Sequence, residues 1–377
     1  MDVLYENGIC INDETIARIS ALDEIIIYGA GVMGRALKLC LESEPYNKRV
    51  CRFIVNDINR NPKMIGNVPV IALDKADEYK DRLIIVALNE SHMPVAVETL
   101  NKRGFQKLIM LNAAGDVWMD IKAFFFLHNQ DKCYIPFKML PGITSTDDCG
   151  GSVTVYVVKS IFDKVLGDSL PIRSYEQEIH VGAALTDKRI CDLTDFSGEN
   201  ISEKNQQYCE LTALYWIWKH CDSDYIGISH YRRRFDISED VVRRLHELNT
   251  DVIVTVPVIN TAGIGNQYGI THSAKDWEIL RDEIHQSCPE YDDSFSTVEK
   301  QIYFHAYNMF IMRKDILRSF CDWMFPILFA CNKRIGVKED AYQNRYPGFL
   351  SERLLNVFLY KNREIFNIFV ANKRYLS

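Results

Sequence analysis

The sequence predicts an α/β protein organised in two domains, and three observations carry that expectation. At 377 residues the chain exceeds what a single hydrophobic core ordinarily serves. Buried strand-like runs alternate with helix-like runs at the spacing of parallel βαβ units, from residue 24 to about 115 and again from residue 152. A glycine turn, Gly29, Gly31 and Gly34, falls directly between the first strand-like run and the first helix-like run.

Taken in order, Glu24–Tyr28 ("EIIIY") reads as a buried strand and Val32–Ser43 as an amphipathic helix with Leu37, Leu39 and Leu41 among its apolar positions. A second strand covers Val50–Asp57. A turn-rich stretch with Asn59, Asn61, Pro62 and Gly66 precedes the strand "VPVIAL" and a polar helix to Arg82. Leu83–Leu88, a helix to Arg103 and the strand Lys107–Leu111 complete a Rossmann-like domain over residues 1–115. Residues 116–150 read as a helical segment around Trp118–Asn129 and a linker ending "TSTDDCGG". Residues 151–377 read as the second α/β domain. Its elements are the strand "SVTVYVV", an aromatic helix Asn205–His220 and the strands "YIGISHY" and "DVIVTVPV". Helices follow at Ser273–Ser287, Lys314–Ala330 and Ser351–Tyr360. No internal repeat or low-complexity tract interrupts it.

Composition narrows the function classes. Apolar residues at 47% and charged residues at 25% belong to a globular chain, which excludes wholesale disorder. With 44 Lys+Arg against 51 Asp+Glu the formal charge is −7, so the broad basic footprint of a nucleic-acid binder is missing. Eleven cysteines include no Cys-x-x-Cys pair, which excludes a zinc ribbon or thioredoxin motif and suits a reducing, cytoplasmic compartment. Met1–Asn12 has no basic n-region followed by an apolar run, unlike a secretory signal. The most apolar segments, Phe124–Leu127 and Trp323–Ala330, are too short to span a bilayer. Trp323, Met324, Phe325 and Phe329 could touch a membrane surface, but a core helix is the favoured reading.

The glycine turn has a physical rationale. Its first glycine permits a tight turn, its second lets a pyrophosphate approach the backbone, and its third lets helix and strand pack closely. Asp57 stands where an acid would bind a ribose hydroxyl. Nucleotide or nucleotide-sugar binding through Gly29, Gly31, Gly34 and Asp57 competes with a purely structural role for the same residues.

The second domain holds the densest polar cluster. A buried strand runs into His230, Tyr231, Arg232, Arg233 and Arg234, and ligands of open α/β sheets bind at the carboxyl ends of strands. Guanidinium forks suit a diphosphate. Three adjacent arginines cannot all face one way, so His230, Arg232 and Arg233 are expected to hold the anion and the remainder to be structural. Asn200, Glu203, Lys204, Asn205, Tyr208 and Glu210 stand ahead of the aromatic helix, whose Leu211, Leu214, Tyr215 and Trp218 read as core. Downstream, Tyr268 and His272 are expected in a loop before a helix capped by Ser273, with His305 and Asn308 beside a buried strand. Asn200, Tyr208, Glu210, Tyr268, His272, His305 and Asn308 are the candidates for binding donor or acceptor sugar. "KEDAYQNRYPGFLSERLLNVFL" adds Glu339, Asp340, Arg345 and Glu352.

Four segments in order, "GENISEKNQQYCELTALYWIWK", "YIGISHYRRRF", "YNMFIM" and "GFLSERLLNVFL", make residues 152–360 resemble a family of bacterial capsular and exopolysaccharide glycosyltransferases, long known only as a domain of unknown function. The N-terminal unit is similar to Rossmann-like nucleotide-sugar-binding domains that precede bacterial sugar-modifying enzymes. The resemblance implies a GT-A-like, nucleotide-sugar-dependent glycosyltransferase. The implied donor is UDP-linked, with galactose suggested by the family's products. The implied acceptor is a lipid-linked oligosaccharide at the inner membrane face, which would make contact with the membrane peripheral. The chain departs from the family at Val158, Lys159 and Ser160, where a Thr-His-Lys-like triplet is usual, and at Arg234, where an aromatic is common.

Enzymes of this fold usually carry Asp-x-Asp after a central strand, where a divalent ion meets the diphosphate. Here Asp222-Ser223-Asp224 precedes the strand, as a turn would. No metal ligand set or firm cofactor is expected, and cationic side chains are expected to neutralise the leaving diphosphate. For the base that deprotonates the acceptor, Glu352 at a helix start is first and Asp340 second, with a first-turn acid favoured by the helix dipole as the alternative role of Glu352. Two other classes remain: an NAD(P)-linked oxidoreductase using the glycine turn, and a non-catalytic nucleotide-sugar-binding protein.

Overall fold

The structure, a computed structural model, describes residues 5–6, 9–10, 14–113, 115–129, 135–136 and 151–376. The linker stretch Thr144–Gly150 and most of the first dozen residues, on which the leader reading rests, lie outside the described residues. The chain divides into two compact units. One comprises residues 1–139 with 259–261, the other residues 140–258 and 262–377.

The first unit runs α1 (Glu14–Ser20), β1 (Glu24–Tyr28), α2 (Val32–Glu42), β2 (Arg49–Val55), β3 (Val68–Ala72), β4 (Ile84–Leu88), α3 (Met93–Lys102), β5 (Leu108–Asn112) and α4 (Asp116–Asn129). The five strands pair in parallel in the order β3-β2-β1-β4-β5, with the short strand Met64–Ile65 antiparallel on the β3 edge. Ile25, Ile26 and Ile27 of β1 and Ile84, Ile85 and Val86 of β4 are buried, as continuous apolar runs flanked by helices should be. The order reverses between β1 and β4, and the glycine turn sits at that switch point. The segment expected as a polar helix to Arg82 is instead two 3-10 turns, Leu73–Lys75 and Asp77–Tyr79. Leu73, Ala76 and Tyr79 all pack into the core, a spacing of three that suits 3-10 geometry better than an α-helix.

The second unit runs β6 (Val153–Lys159), β7 (Glu176–His180), α5 (Asn205–Tyr208), α6 (Leu211–His220), β8 (Tyr225–His230), β9 (Arg233–Phe235), α7 (Glu239–Val242) and β10 (Val252–Thr255). It continues through α8 (Ile264–Thr271), α9 (Ala274–Ser287), α10 (Asp292–Lys300), β11 (Phe310–Arg313), α11 (Lys314–Ile335), α12 (Tyr346–Lys361), β12 (Ile368–Ala371) and β13 (Lys373–Tyr375). The sheet order is β7-β6-β8-β11-β10-β12, parallel except for β11, which opposes both neighbours. Register places Lys159 opposite His180, Val158 opposite His230, and Phe310 opposite both Ile228 and Val254. The carboxyl ends of β6, β7, β8 and β10 therefore share one edge with the segment leading into β11. Thus both units are α/β, each built on a mostly parallel sheet.

Three local expectations change, and two hold. The aromatic helix breaks at Cys209, whose φ of +49° separates α5 from α6. Tyr268 lies in α8, not in a loop; glycines at 265 and 269 mask that helix in the sequence. Ser273 does cap α9, accepting from the Asp276 amide. α12 begins at Tyr346, which puts Glu352 in its second turn and removes the first-turn dipole role. In α11, Met324 and Phe325 are fully buried, Phe329 packs on Tyr208 and Tyr215, and Trp323 stacks on Tyr291, the packing of a core helix. Among the described residues no helix is long and apolar enough to cross a membrane.

Candidate functional site

The site is organised by a hairpin. β8 ends at His230, Tyr231 and Arg232 turn the chain, and Arg233 pairs back onto His230. β9 then pairs antiparallel with β13, Arg233 opposite Tyr375 and Arg234 opposite Arg374. Alternation along a strand sends neighbouring side chains to opposite faces, and the arginines divide accordingly. Arg234 points inward and is 2% exposed. Its Nε donates to Glu176 Oε1 at 2.8 Å, Nη2 pairs with Glu176 Oε2, and the guanidinium also donates to the carbonyls of Leu170 (2.7 Å) and Pro171 (2.8 Å). Arg233, on the other face, lies over the rings of Tyr307 (4.7 Å) and Tyr375 (5.4 Å). Arg232 lies over Tyr375 at 5.5 Å and Tyr231 at 6.0 Å. Among the described residues neither Arg232 nor Arg233 pairs with a carboxylate, although both are half-buried. Two cations resting on aromatic faces without an ion-pair partner in contact are chemically suited to meet an anion, with Asp163 and Glu352 the carboxylates nearest in effect.

Beside these arginines, α12 grips the segment before β11. Asn356 exchanges hydrogen bonds with His305, accepting from its amide (2.8 Å) and donating to its carbonyl (2.9 Å). Glu352 Oε1 accepts from the Tyr307 amide at 2.7 Å, and Ser351 Oγ donates to Asn308 Oδ1 at 2.9 Å. Asn308 Nδ2 in turn donates to Glu210 Oε1 at 2.7 Å and to the Gly348 carbonyl at 3.1 Å. Tyr307 and Asn308 have φ of +77° and +49°, a costly backbone that these bonds hold in place. His230 Nε2 meets the Tyr307 carbonyl at 2.6 Å. Burial pushes the His230 imidazole below its ordinary pKa, opposed by Glu210 and the Tyr307 carbonyl and reinforced by Arg233 and Arg232. Burial also raises the Glu352 carboxyl, opposed by Arg353, the Tyr307 amide and Arg233, while Glu210 adds to the rise. Asp163, in the turn after β6, is pushed up to about 6 by burial, against the pull of the Ser160 amide, Lys159 and Arg232.

The structure thus brings together His230, Arg232, Arg233, Glu210, Asn308 and Glu352. The other expected residues stand apart from that cluster or inside the core. His305 is buried and paired through Nδ1 with the Thr255 carbonyl at 2.7 Å. Tyr208 and Tyr268 are fully buried, and His272 stacks on Phe349 at 4.1 Å. Asn200 shapes its own loop, donating to the Gly198 carbonyl at 2.8 Å and accepting from the Ser202 amide at 3.1 Å. Asp340 is exposed and accepts from the Gln343 amide at 2.7 Å, closing a turn. Asp224 accepts from the Ser152 amide at 2.7 Å and hydroxyl at 2.9 Å, and Asp222 pairs with Lys314 and Arg318, so Asp222-Ser223-Asp224 is a turn at the opposite edge of the sheet. Among the described residues no three His, Cys, Asp or Glu side chains converge as a metal would require. Sequence reasoning does not single out Tyr307, Tyr375 or Asp163, whose places depend on pairings between distant segments.

In the first unit, Gly29 has φ +110°, and a Cβ at Gly34 would fall 2.0 Å from the Gly29 carbonyl oxygen, whereas one at Gly31 would meet nothing within 4 Å. Asp57 is exposed, accepts from the Asn59 amide at 2.9 Å and pairs with Arg60 at 3.2 Å.

Two mostly parallel α/β sheets give the chain a glycosyltransferase-like fold. The apo structure of WbbM, a bifunctional glycosyltransferase, is similar at TM-score 0.54 and 24% identity, over 60% of this chain and 45% of that one. The chain therefore spans less than half of WbbM. The mannosyltransferase Ktr4p from S. cerevisiae matches with TM-score 0.26 and 10% identity, over 58% of this chain and 66% of that one, too weakly to carry an argument. No curated protein matches the chain. Residues 167–363, just over half of the chain, match the family described as "Domain of unknown function (DUF4422)", and the chain belongs to that family.

Proposed function

We propose that this protein is a nucleotide-sugar-dependent glycosyltransferase whose second unit moves a sugar, galactose from a UDP-linked donor in the first instance, to an oligosaccharide acceptor, lipid-linked in the assembly of a surface polysaccharide. The observation that carries the proposal is the pair Arg232 and Arg233. Two half-buried guanidiniums at the carboxyl end of a central strand, neither in an ion pair with a carboxylate among the described residues, although Asp163 and Glu352 act on them from further off, are organised for a ligand anion. As the bond from the anomeric carbon to the diphosphate breaks, negative charge gathers on the leaving oxygen. Cations already in place stabilise that charge more than they stabilise the bound donor. Glu210, Asn308 and Glu352, tied to one another around the Tyr307–Asn308 turn, would line the side from which sugar hydroxyls approach. Asp340, already engaged in its own turn, is the weaker of the two carboxylates considered as base.

A thermal-shift panel of UDP, GDP, UDP-sugars, GDP-sugars and NAD(H) tests the reading. Stabilisation by UDP or a UDP-sugar, abolished when Arg232→Ala and Arg233→Ala are combined, is expected. Stabilisation by NAD(H) alone would overturn it in favour of an oxidoreductase.

A further inference from the structure

Carbonyl oxygens only accept hydrogen bonds, so His230 Nε2, 2.6 Å from the Tyr307 oxygen, carries a proton. In the neutral ring Nδ1 then holds the lone pair, and the ring's hydrogen bond among the described residues is the one made by Nε2. The tautomer is fixed by more than one contact. The Tyr307 peptide is anchored on its other side by Glu352, and Asn308 beyond it by Ser351, Gly348 and Glu210. By comparison, both oxygens of Glu352 are engaged, Oε1 by the Tyr307 amide and Oε2 by Arg353 at 2.7 Å.

We propose that Nδ1 of His230, and not a carboxylate, accepts the acceptor hydroxyl's proton, with Glu352 acting through the Tyr307 peptide as a positioning residue. The inference rests on the glycosyltransferase reading above. The acceptor O–H proton passes to Nδ1, and the oxygen's electron pair forms the bond to the anomeric carbon. The bond from that carbon to the diphosphate oxygen breaks with its pair moving to the oxygen, opposite Arg232 and Arg233. The balance is that of a single displacement, which inverts the anomeric centre. The imidazolium that forms faces Glu210 from the segment ahead of α6, Arg232 and Arg233 from the hairpin, and the Tyr307 carbonyl from the segment before β11. Before the step, burial and the two guanidiniums favour the neutral ring, against the opposing pull of Glu210 and the Tyr307 carbonyl.

Two measurements on the full chain test this. Nitrogen NMR of protein labelled with ¹⁵N-histidine should show His230 as the neutral Nε2–H tautomer at pH 7, and Glu352→Ala should mix the two tautomers. His230→Gln keeps an N–H for the Tyr307 carbonyl but has no lone pair at the Nδ1 position. It should retain UDP-induced stabilisation while single-turnover release of nucleoside diphosphate from a panel of UDP-, GDP- and dTDP-sugars, with a galactoside acceptor, falls about 10²–10⁴-fold. An Nδ1–H tautomer, or wild-type turnover in His230→Gln, would overturn the base assignment and leave the glycosyltransferase reading standing. Loss of UDP binding in His230→Gln would make His230 a phosphate ligand and likewise overturn it. If the wild-type protein turns over none of the donors, the glycosyltransferase reading itself fails and the base assignment with it.

Discussion

Replacing Arg234 should unfold the second unit at a much lower temperature, whereas replacing its neighbours Arg232 and Arg233 should not. Arg234 and Glu176 are 2% and 1% exposed along their side chains, and the guanidinium also satisfies the carbonyls of Leu170 and Pro171. Arg234→Met would leave the Glu176 carboxylate buried with the Arg173 amide as its remaining partner among the described residues. Breaking one half of a buried pair costs about 3–5 kcal/mol. For a unit of this size that lowers the melting temperature by roughly 6–20 °C. Arg232 and Arg233 instead make cation–π contacts at 4.7–6.0 Å. For each arginine such packing contributes about 0.5–1 kcal/mol at a partly exposed site. The double alanine variant should therefore lose about 1–2 kcal/mol, together with its response to UDP. Four of the five tryptophans, Trp216, Trp218, Trp277 and Trp323, lie in the second unit, so fluorescence melts follow it selectively. Equal melting shifts in the two variants would refute the division of labour among the three arginines.

Three further outcomes follow from the packing and the titrations. Gly34→Ala drives a Cβ onto the Gly29 carbonyl and should cost the first unit about 1–3 kcal/mol or more, while Gly31→Ala should be close to neutral; hydrogen exchange across α2 separates the two. Burial holds His305 at about 4, below its unfolded value, so the stability it confers is complete above pH 6.5 and drains away as pH falls towards 4. That amounts to about 3 kcal/mol for a shift of this size, and an NMR titration of His305 with a midpoint near 6.5 would contradict it. Lys122, buried in α4, is held down at about 8 by burial, so the unfolded chain binds its proton more readily between pH 8 and 10.5. Wild-type stability relative to Lys122→Met should therefore rise across that interval in urea titrations; a flat difference would argue against the buried charge.

The sheet of each unit is readable from the sequence because the strands are short apolar runs closed by polar turns, as in Ile25–Ile27 and Val252–Val254. The Arg232–Arg234 hairpin is readable too, since polar residues directly after a buried strand must emerge at its carboxyl end. What escapes is set by tertiary context. Cys209 interrupts an otherwise continuous helical pattern through a positive φ that no local signal marks. Leu73, Ala76 and Tyr79 choose 3-10 geometry because the core fits that spacing. Tyr375 reaches Arg233 only through the pairing of β9 with β13, more than a hundred residues apart in the chain. The separate fates of Arg233 and Arg234 follow from strand alternation once that pairing is known, but a hairpin's register is not written in three identical side chains.

The central claim is that Arg232 and Arg233 hold the diphosphate of a sugar donor. Its most direct test is the release of nucleoside diphosphate from UDP-galactose and related donors, measured on the wild-type chain and on the double variant R232A/R233A, with folding of both verified by fluorescence melts. The account predicts release by the wild type and its loss in a double variant that remains folded. Release at equal rates by both proteins would contradict it.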